Sequence, residues 1–392
     1  MSRLADLINE LCPDGVEYRR LDELFATRNG YTPSRSDASA WDSHDIPWFR
    51  MEDIRENGGI LDRALTYISS SAVKNGVLFP ENSLLVATSA TIGAHALITV
   101  PHLSNQRFTS LRLKDEYRKY FDYRFLYYYC FVLDAFCLEH VNVSSFPSVD
   151  MRAFRSFKFP FVPLAVQREI VRILDQFTTL EAELEAELEA RQAQYEYYRN
   201  QLLSYDALAS RGPVEWVKLG EVAIIATGKH NTSDAIENGI YPFYVRSQTP
   251  LSLNDYDFDE AAVITAGDGV GVGRVFHHVE GKYALHQRAY RIVPEQTRLS
   301  SLYLYHLMVS QFSDYLYSTV FKSSVTSLRK PMLERFPVAL PTLQEQCRIA
   351  DVLDRFDALV NDISSGLPAE IAARRAQYEY YRDRLLSFPE KK

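Results

Sequence analysis

The chain has 392 residues, with 43 Lys and Arg against 51 Asp and Glu, a formal net charge of −8 and 46% hydrophobic residues. That length and composition predict two or three domains with real cores and exclude a disordered or fibrous chain. Taken whole, the acidic balance also argues against nucleic acid, because DNA-binding domains usually read basic.

Residues 1–15 carry three acidic side chains and no apolar block, so no signal peptide is expected, and Leu4–Leu11 reads as a short amphipathic helix. Residues 16–162 form a first variable domain with a Gly-containing turn, Thr91-Ile92-Gly93, and an aromatic segment, Tyr123–Phe136. The longest uncharged stretch, Asn82 to Gln106, holds two His, a Pro and many hydroxyls, which rules it out as a membrane span. Residues 163–208 form a central helix. Its apolar or aromatic positions recur at 170, 173/174, 177, 180, 184, 188, 195, 198 and 202, a spacing near 3.5 that predicts a coiled coil. Inside it, Leu180–Ala190 reads LEAELEAELEA, strong helix formers repeated every four residues, which predicts a length-setting spacer. Residues 213–340 form a second variable domain, and 341–388 a distal helix with the same phase. Ser364-Ser365-Gly366-Leu367-Pro368 should break or kink that distal helix. Four Cys without a CxxC pair predict reduced thiols in a cytosolic protein and no zinc site.

An internal duplication dominates the sequence. Arg191–Tyr205 (RQAQYEYYRNQLLSY) and Arg374–Phe388 (RRAQYEYYRDRLLSF) are identical at eleven of fifteen positions. Upstream, Gln167, Ile170, Leu174, Asp175 and Phe177 match Gln346, Ile349, Leu353, Asp354 and Phe356, and Ser144, Ser145 and Ser148 match Ser323, Ser324 and Ser327. Val16-Glu17-Tyr18 answers Val214-Glu215-Trp216, Thr91–Gly93 answers Gly271–Gly273, Gln106-Arg107 answers Gln287-Arg288, and Tyr123–Phe136 answers Leu302–Leu316. One variable domain followed by one helix was duplicated. The fold class expected is α+β: two duplicated mixed α/β domains separated by two long antiparallel coiled-coil helices. The N-terminus should dock near the end of the distal helix, in a pseudo-twofold circular arrangement.

Two variable domains alternating with near-identical helices that end in QYEYYRxxLLS resemble the specificity (S) subunit of type I restriction–modification enzymes. The opening LxxLINELCPDGVEYRRL and the tetrapeptide module are similar to its IC subgroup. The resemblance spans essentially the whole chain. It implies target-recognition domains that read the two halves of a split, asymmetric DNA sequence. It also implies helices that bind two methyltransferase (M) subunits, with restriction (R) subunits joining that core. S-adenosylmethionine is then expected on the M subunits and ATP on the R subunits, with no cofactor on this chain. The alternative left open by the residues is a scaffold whose duplicated domains bind protein or glycan.

Divided by segment, the charge objection dissolves. The helical stretches 163–205 and 341–388 together carry −6, whereas 16–162 is neutral with 17 residues of each sign and 214–340 has 12 basic and 13 acidic residues. Near-neutral readers need local basic clusters for phosphate and base contacts. The candidates in the first domain are Arg50, Arg107, Ser144, Ser145, Arg152, Arg155 and Lys158. Those in the second are Arg246, Arg274, Arg288, Lys322, Ser323, Ser324, Arg329 and Lys330. A duplicated surface should recruit two copies of one partner. Tyr197 and Tyr380, off the apolar stripe, and the adjacent Arg199 and Arg382 are the candidates for that surface.

No catalytic constellation is legible. Tyr241-Pro242-Phe243-Tyr244 lacks the amide or carboxylate an adenine-binding methyltransferase loop requires, and Gly267–Gly273 fits no GxGxxG or GxxxxGK[ST] pattern. His277, His278 and His286 have no partners at metal spacing. A non-catalytic subunit is expected.

Overall fold

Each variable domain is built on a mostly antiparallel sheet with the same strand path. The structure, a computed structural model, describes residues 2–142, 146–319, 327–362 and 364–391. In the first domain the sheet order is Phe25–Asn29, Phe108–Leu113, Ser83–Ala87, His95–Ile98, Ile60–Leu61. In the second it is Ala223–Thr227, Ala289–Pro294, Phe258–Ala266, Phe276–Leu285, Tyr241–Tyr244, Leu251–Leu253. The long strand Phe276–Leu285 pairs antiparallel with Phe258–Ala266 and, at its end, parallel with Tyr241–Tyr244. In the first domain this path is split into His95–Ile98 and Leu103–Ser104, the latter parallel to Ile46–Phe49. Pro101 lies between the two pieces, and without an N–H it cannot continue a central ladder.

The two aromatic segments are helices, Tyr123–Glu139 and Ser301–Thr319, each laid on the two central strands of its sheet. Phe125, Leu126, Cys130 and Leu133 in one, and Tyr303, Leu304, Leu307 and Phe312 in the other, are fully buried. Cys130 and Cys137 belong to the first core, where burial pushes the Cys137 thiol up to about 12.

Two short strand pairs tie each domain to its helix. Glu17–Arg20 pairs with Lys158–Phe161, and Glu215–Lys218 pairs with Pro337–Leu340. A buried glutamine repeats the same clamp beside each. The Gln167 amide donates to the carbonyls of Tyr120 (2.8 Å) and Val162 (2.6 Å) and accepts from the Asp122 N–H (2.8 Å). The Gln346 amide donates to Arg298 and Pro341 (both 2.9 Å) and accepts from the Ser300 N–H (2.9 Å). The duplication noted at these two positions is therefore a duplicated hydrogen-bonding device.

By compactness the chain divides into residues 1–182 with 373–392, and residues 183–372. The division falls inside the helices and not at their ends, because each half-helix packs on its neighbouring domain. In the first unit the helix Leu164–Leu202 contributes Val166, Ile170 and Leu174 to the core. Farther along, its Phe177 ring stacks on Tyr381 and lies 6.2 Å from Tyr378, while Glu181 pairs with Arg375 at 2.5 Å. Rising numbers on one helix meet falling numbers on the other, so these segments run antiparallel. The short helix Ser2–Leu11 sets Leu4 into the same core as Leu386 and Phe388. Next to it the Val16 N–H donates to the Pro389 carbonyl (2.9 Å), and the Tyr18 hydroxyl donates to the Phe388 carbonyl (2.9 Å).

In the second unit Tyr195 is buried and stacks on Phe356 at 5.8 Å. The apolar stripe is uneven, since Leu180 and Tyr198 on it are 40% and 50% exposed. The distal segment is two helices, Leu343–Asn361 and Leu367–Leu385. At the break the Asp362 carboxylate accepts from the Ser364 N–H and from the hydroxyls of Ser364 and Ser365, which hold its pKa down to about 2. Gly366 comes so near the helix end that a Cβ would meet the Ala358 carbonyl oxygen at 2.6 Å.

Candidate nucleic-acid interface

One junction of three loops is built twice. In the first domain the Thr88 N–H donates to the Arg107 carbonyl (2.9 Å) and the Val149 N–H to the Thr88 carbonyl (2.9 Å), with Ser89 bridged to Ser148. In the second, the Gly267 N–H donates to the Arg288 carbonyl (2.8 Å) and the Leu328 N–H to the Gly267 carbonyl (2.8 Å), with Asp268 bridged to Ser327. The turn after a central strand, the Gln-Arg pair and the segment before a short helix thus converge in both copies. Gly267 lies so near that a Cβ would sit 2.6 Å from the Arg288 carbonyl oxygen. Ala90 in one turn and Gly269 in the other adopt positive φ (65° and 78°), a region that favours glycine, and both are exposed at the loop tip.

The side chains placed on this junction differ. In the second domain Asp268 accepts from both Arg246 (2.7 Å) and Arg288 (2.9 Å). Burial by itself would raise the Asp268 pKa, but the two guanidinium hydrogen bonds outweigh it and hold the carboxyl below its ordinary value. Beside this cluster is a cleft of about 390 Å³ lined by Val245, Arg246, Ser247, Asp268 and Val270. The Val270 side chain at its rim is 94% exposed. In the first domain Arg107 is exposed and its side chain has no partner among the described residues.

Other candidates fall elsewhere. The Arg50 side chain is half-buried, with its guanidinium 5.8 Å from the Trp48 ring and 3.9 Å from Glu52. Arg152 and Arg155 are on Met151–Ser156, a short helix capped by Asp150 and downstream of the Ser148 bridge, and both are exposed. Arg329 is exposed at the start of Lys330–Glu334, where Lys330 approaches Glu334 at 3.7 Å. Lys158 lies on the strand paired with Glu17–Arg20 and binds Glu390 at 2.9 Å, at the terminal junction and not at the loop junction. Arg274 lines a cavity of about 770 Å³ with Tyr195, Glu196, Arg199 and Asp357, on the helix side of the second domain. Ser144, Ser145, Lys322, Ser323 and Ser324 lie outside the described residues. Asp268 and Val270 were not singled out from sequence; a carboxylate between two glycines in a turn was the available signal.

Tyr197 and Tyr380 are 60% and 59% exposed, and each ring meets the next tyrosine edge-on, Tyr198 at 5.4 Å and Tyr381 at 5.3 Å. Their neighbouring arginines turn inward. Arg199 covers Tyr195 at 5.4 Å, and Arg382, 17% exposed, lies 4.4 Å from the Phe131 ring and 5.7 Å from Tyr378. A guanidinium over an aromatic ring is attracted by the ring face while its other donors stay accessible. Both arginines thus lie beside the exposed tyrosines, each with part of its guanidinium over a ring of its own helix.

No described helix is long and apolar enough to cross a membrane. The model of the type I restriction modification DNA specificity domain matches residues 13–190 and again 212–373, one match per copy of the duplication. The chain is 41% identical over 382 residues to the type I restriction enzyme EcoprrI specificity subunit of Escherichia coli, covering 93% of each protein. It is 37% identical over 252 residues to the EcoR124I/EcoR124II specificity subunit of the same species, covering 59% of this chain and 61% of that one. Among solved structures, the type I restriction–modification S subunit from M. genitalium shares the fold with a TM-score of 0.56 at 13% identity, over 96% of this chain and 97% of that one. A structure of a type I restriction–modification assembly shares it at 0.61 and 18% identity, over 96% of this chain and 98% of that one. Twofold repetition of helix, junction and family match along a single polypeptide has one reading: this chain belongs to the family of type I restriction–modification DNA specificity subunits, the non-catalytic members of their complexes.

Proposed function

We propose that residues 16–162 and 213–340 are independent target-recognition domains, each reading one half of a bipartite, asymmetric sequence in double-stranded DNA. The observation that carries this is the loop junction built twice on the same backbone hydrogen bonds but with different side chains. A shared frame with changed contacts is what two readers of different half-sites require. Arg107, Arg246 and Arg288 sit on the junction as base-contact candidates. Arg152, Arg155, Arg329 and Lys330 flank it and serve phosphates; Arg50 and the serines at 144, 145, 323 and 324, with Lys322, complete the proposed set. Lys158 and Arg274 are secondary, given their places. S-adenosylmethionine is assigned to the M subunits and ATP to the R subunits, and the complex to the cytoplasm. A protein- or glycan-binding scaffold has no support in the family match.

The experiment is methylation-site sequencing of the complex, paired with retention of random-sequence duplexes by this chain and its M subunits. Exchanging residues 16–157 for those of another family member is expected to change one half-site and leave the other intact. A change in both halves, or no sequence-selective retention at all, sinks the reading.

The repeated helices are proposed to recruit two M subunits through Tyr197 and Tyr380, exposed large aromatics at equivalent positions, with Arg199 and Arg382 beside them. Exposed tyrosines contribute little to folding but are enriched among interface hot spots, each worth about 2 kcal/mol when truncated. The double variant Tyr197→Ala/Tyr380→Ala is expected to keep its melting temperature and to weaken M-subunit binding about thirtyfold or more per site. Calorimetric titration with full affinity and a stoichiometry of two would place the interface elsewhere.

A further inference from the structure

We propose that Asp268 is a specificity-determining positioning residue of the second domain, holding Arg246 and Arg288 as a paired fork that reads guanine in one half-site, a device without a counterpart among the described residues of the first domain. The inference rests on the DNA-reading function proposed above and assigns chemistry to one of its two readers.

The geometry is that of a pre-set pair. Asp268 engages Nη1 of Arg246 at 2.7 Å and Nη1 of Arg288 at 2.9 Å, one carboxylate oxygen for each. Its side chain is 22% exposed, whereas those of Arg246 and Arg288 are 41% and 62% exposed. The carboxylate therefore sits beneath the two guanidinium groups, anchoring each by one nitrogen and leaving other N–H donors outward. A guanidinium has five donors in one plane, and its match to the O6 and N7 acceptors of guanine is the commonest specific contact in the major groove. Arginine loses rotamer freedom on binding, so fixing it beforehand sharpens discrimination.

The charge sum supports a geometric role. Two cations and one anion leave a single net positive charge, so the cluster gives up phosphate attraction for orientation. Val270, 94% exposed beside the same cleft, adds an apolar tip of the kind that meets a thymine methyl group. At the equivalent place in the first domain, bridged to Ser148 as Asp268 is to Ser327, stands Ser89. Arg107, the counterpart of Arg288, accordingly has no carboxylate to hold it among the described residues. The two half-sites are read by different means, one with a held pair and one with an arginine that has no side-chain partner among the described residues.

The test uses the full complex of this chain with its M subunits, read by motif-resolved methylation-site sequencing and by binding to random-sequence duplexes. Asp268→Asn keeps the side-chain shape but removes the charge that holds both guanidinium groups. It is expected to lower discrimination about tenfold at one or two G·C pairs of the second half-site. Non-specific duplex binding at low salt should tighten a few-fold, because a negative charge near the phosphates is gone. The first half-site, read by the same polypeptide, stays unchanged and reports correct folding. Asp268→Glu should restore most of the discrimination. An unchanged second half-site in Asp268→Asn overturns the inference, and so does loss of the whole half-site in both variants, which marks a purely structural residue. If exchanging residues 213–340 of the otherwise unaltered chain changes neither half-site, the reading beneath the inference fails with it, and that outcome is seen without touching Asp268.

Discussion

Deletion of Leu184–Glu187 is expected to shorten the unread gap between the two half-sites by one to two base pairs while both half-sites keep their sequence. Four residues of α-helix are about 6 Å long, and one base pair rises about 3.4 Å. Four residues also exceed a 3.6-residue turn, so the helix beyond the deletion rotates by about 40°. Local structure tolerates the change. Leu184 is half-buried and Glu185, Ala186 and Glu187 are exposed, and the deletion brings Leu188–Arg191, the same as the lost module at three of four positions, into the vacated place. The loss includes the Glu187–Arg191 ion pair at 2.7 Å, an exposed contact worth about 0.3–0.5 kcal/mol. The effect on recognition is by contrast all or none, because the original target no longer fits both domains at once. Methylation-site sequencing of the deletant reads the gap directly, and an unchanged gap refutes the idea that this helix measures it.

Replacing Gln167 or Gln346 by Leu is expected to destabilise the corresponding domain by about 3–9 kcal/mol. Each glutamine is fully buried and satisfies three backbone groups, two carbonyls and one N–H, in loops that no sheet ladder reaches. Leucine fills a similar volume but leaves all three unpaired, and each buried unpaired group costs about 1–3 kcal/mol. That is a large share of the 5–15 kcal/mol typical of a whole protein, by order of magnitude. Urea denaturation followed by limited proteolysis should show the altered domain opening first. A shift below about 1 kcal/mol would mean that water replaces the amide at no cost.

The duplication, the helical phase and the acidic scaffold were legible in the sequence because each is a property of local spacing. A repeat needs no folding to be counted, and a period near 3.5 reports a helix before it packs. The helix break was equally legible, since Gly and Pro act on the backbone itself; it falls at 362–366, and Leu367 and Pro368 open the next helix. The site was less so. Of the basic residues proposed as readers, Arg246 and Arg288 meet on one carboxylate 20 or more residues away, whereas Arg274 turns to the helix side and Lys158 to the Glu390 carboxylate. Exposure and charge could not sort these, because the direction of a long basic side chain depends on which neighbour offers an acceptor.

Arg199 and Arg382 behave in the same way on the scaffold. Identity across the repeat marked them as a matched pair, and matched residues on a helix were expected to face a shared partner. Each lies over the tyrosine one turn back on its own helix, and Arg382 also reaches the Phe131 ring of the first domain. By itself, then, the sequence determined the repeat, the order of domain and helix, and through them the family. Only the tertiary structure decided which side chains converge on the loop junction, because strands and turns far apart in the chain are brought together by sheet pairing, which leaves no periodic trace in the sequence of the loops it aligns.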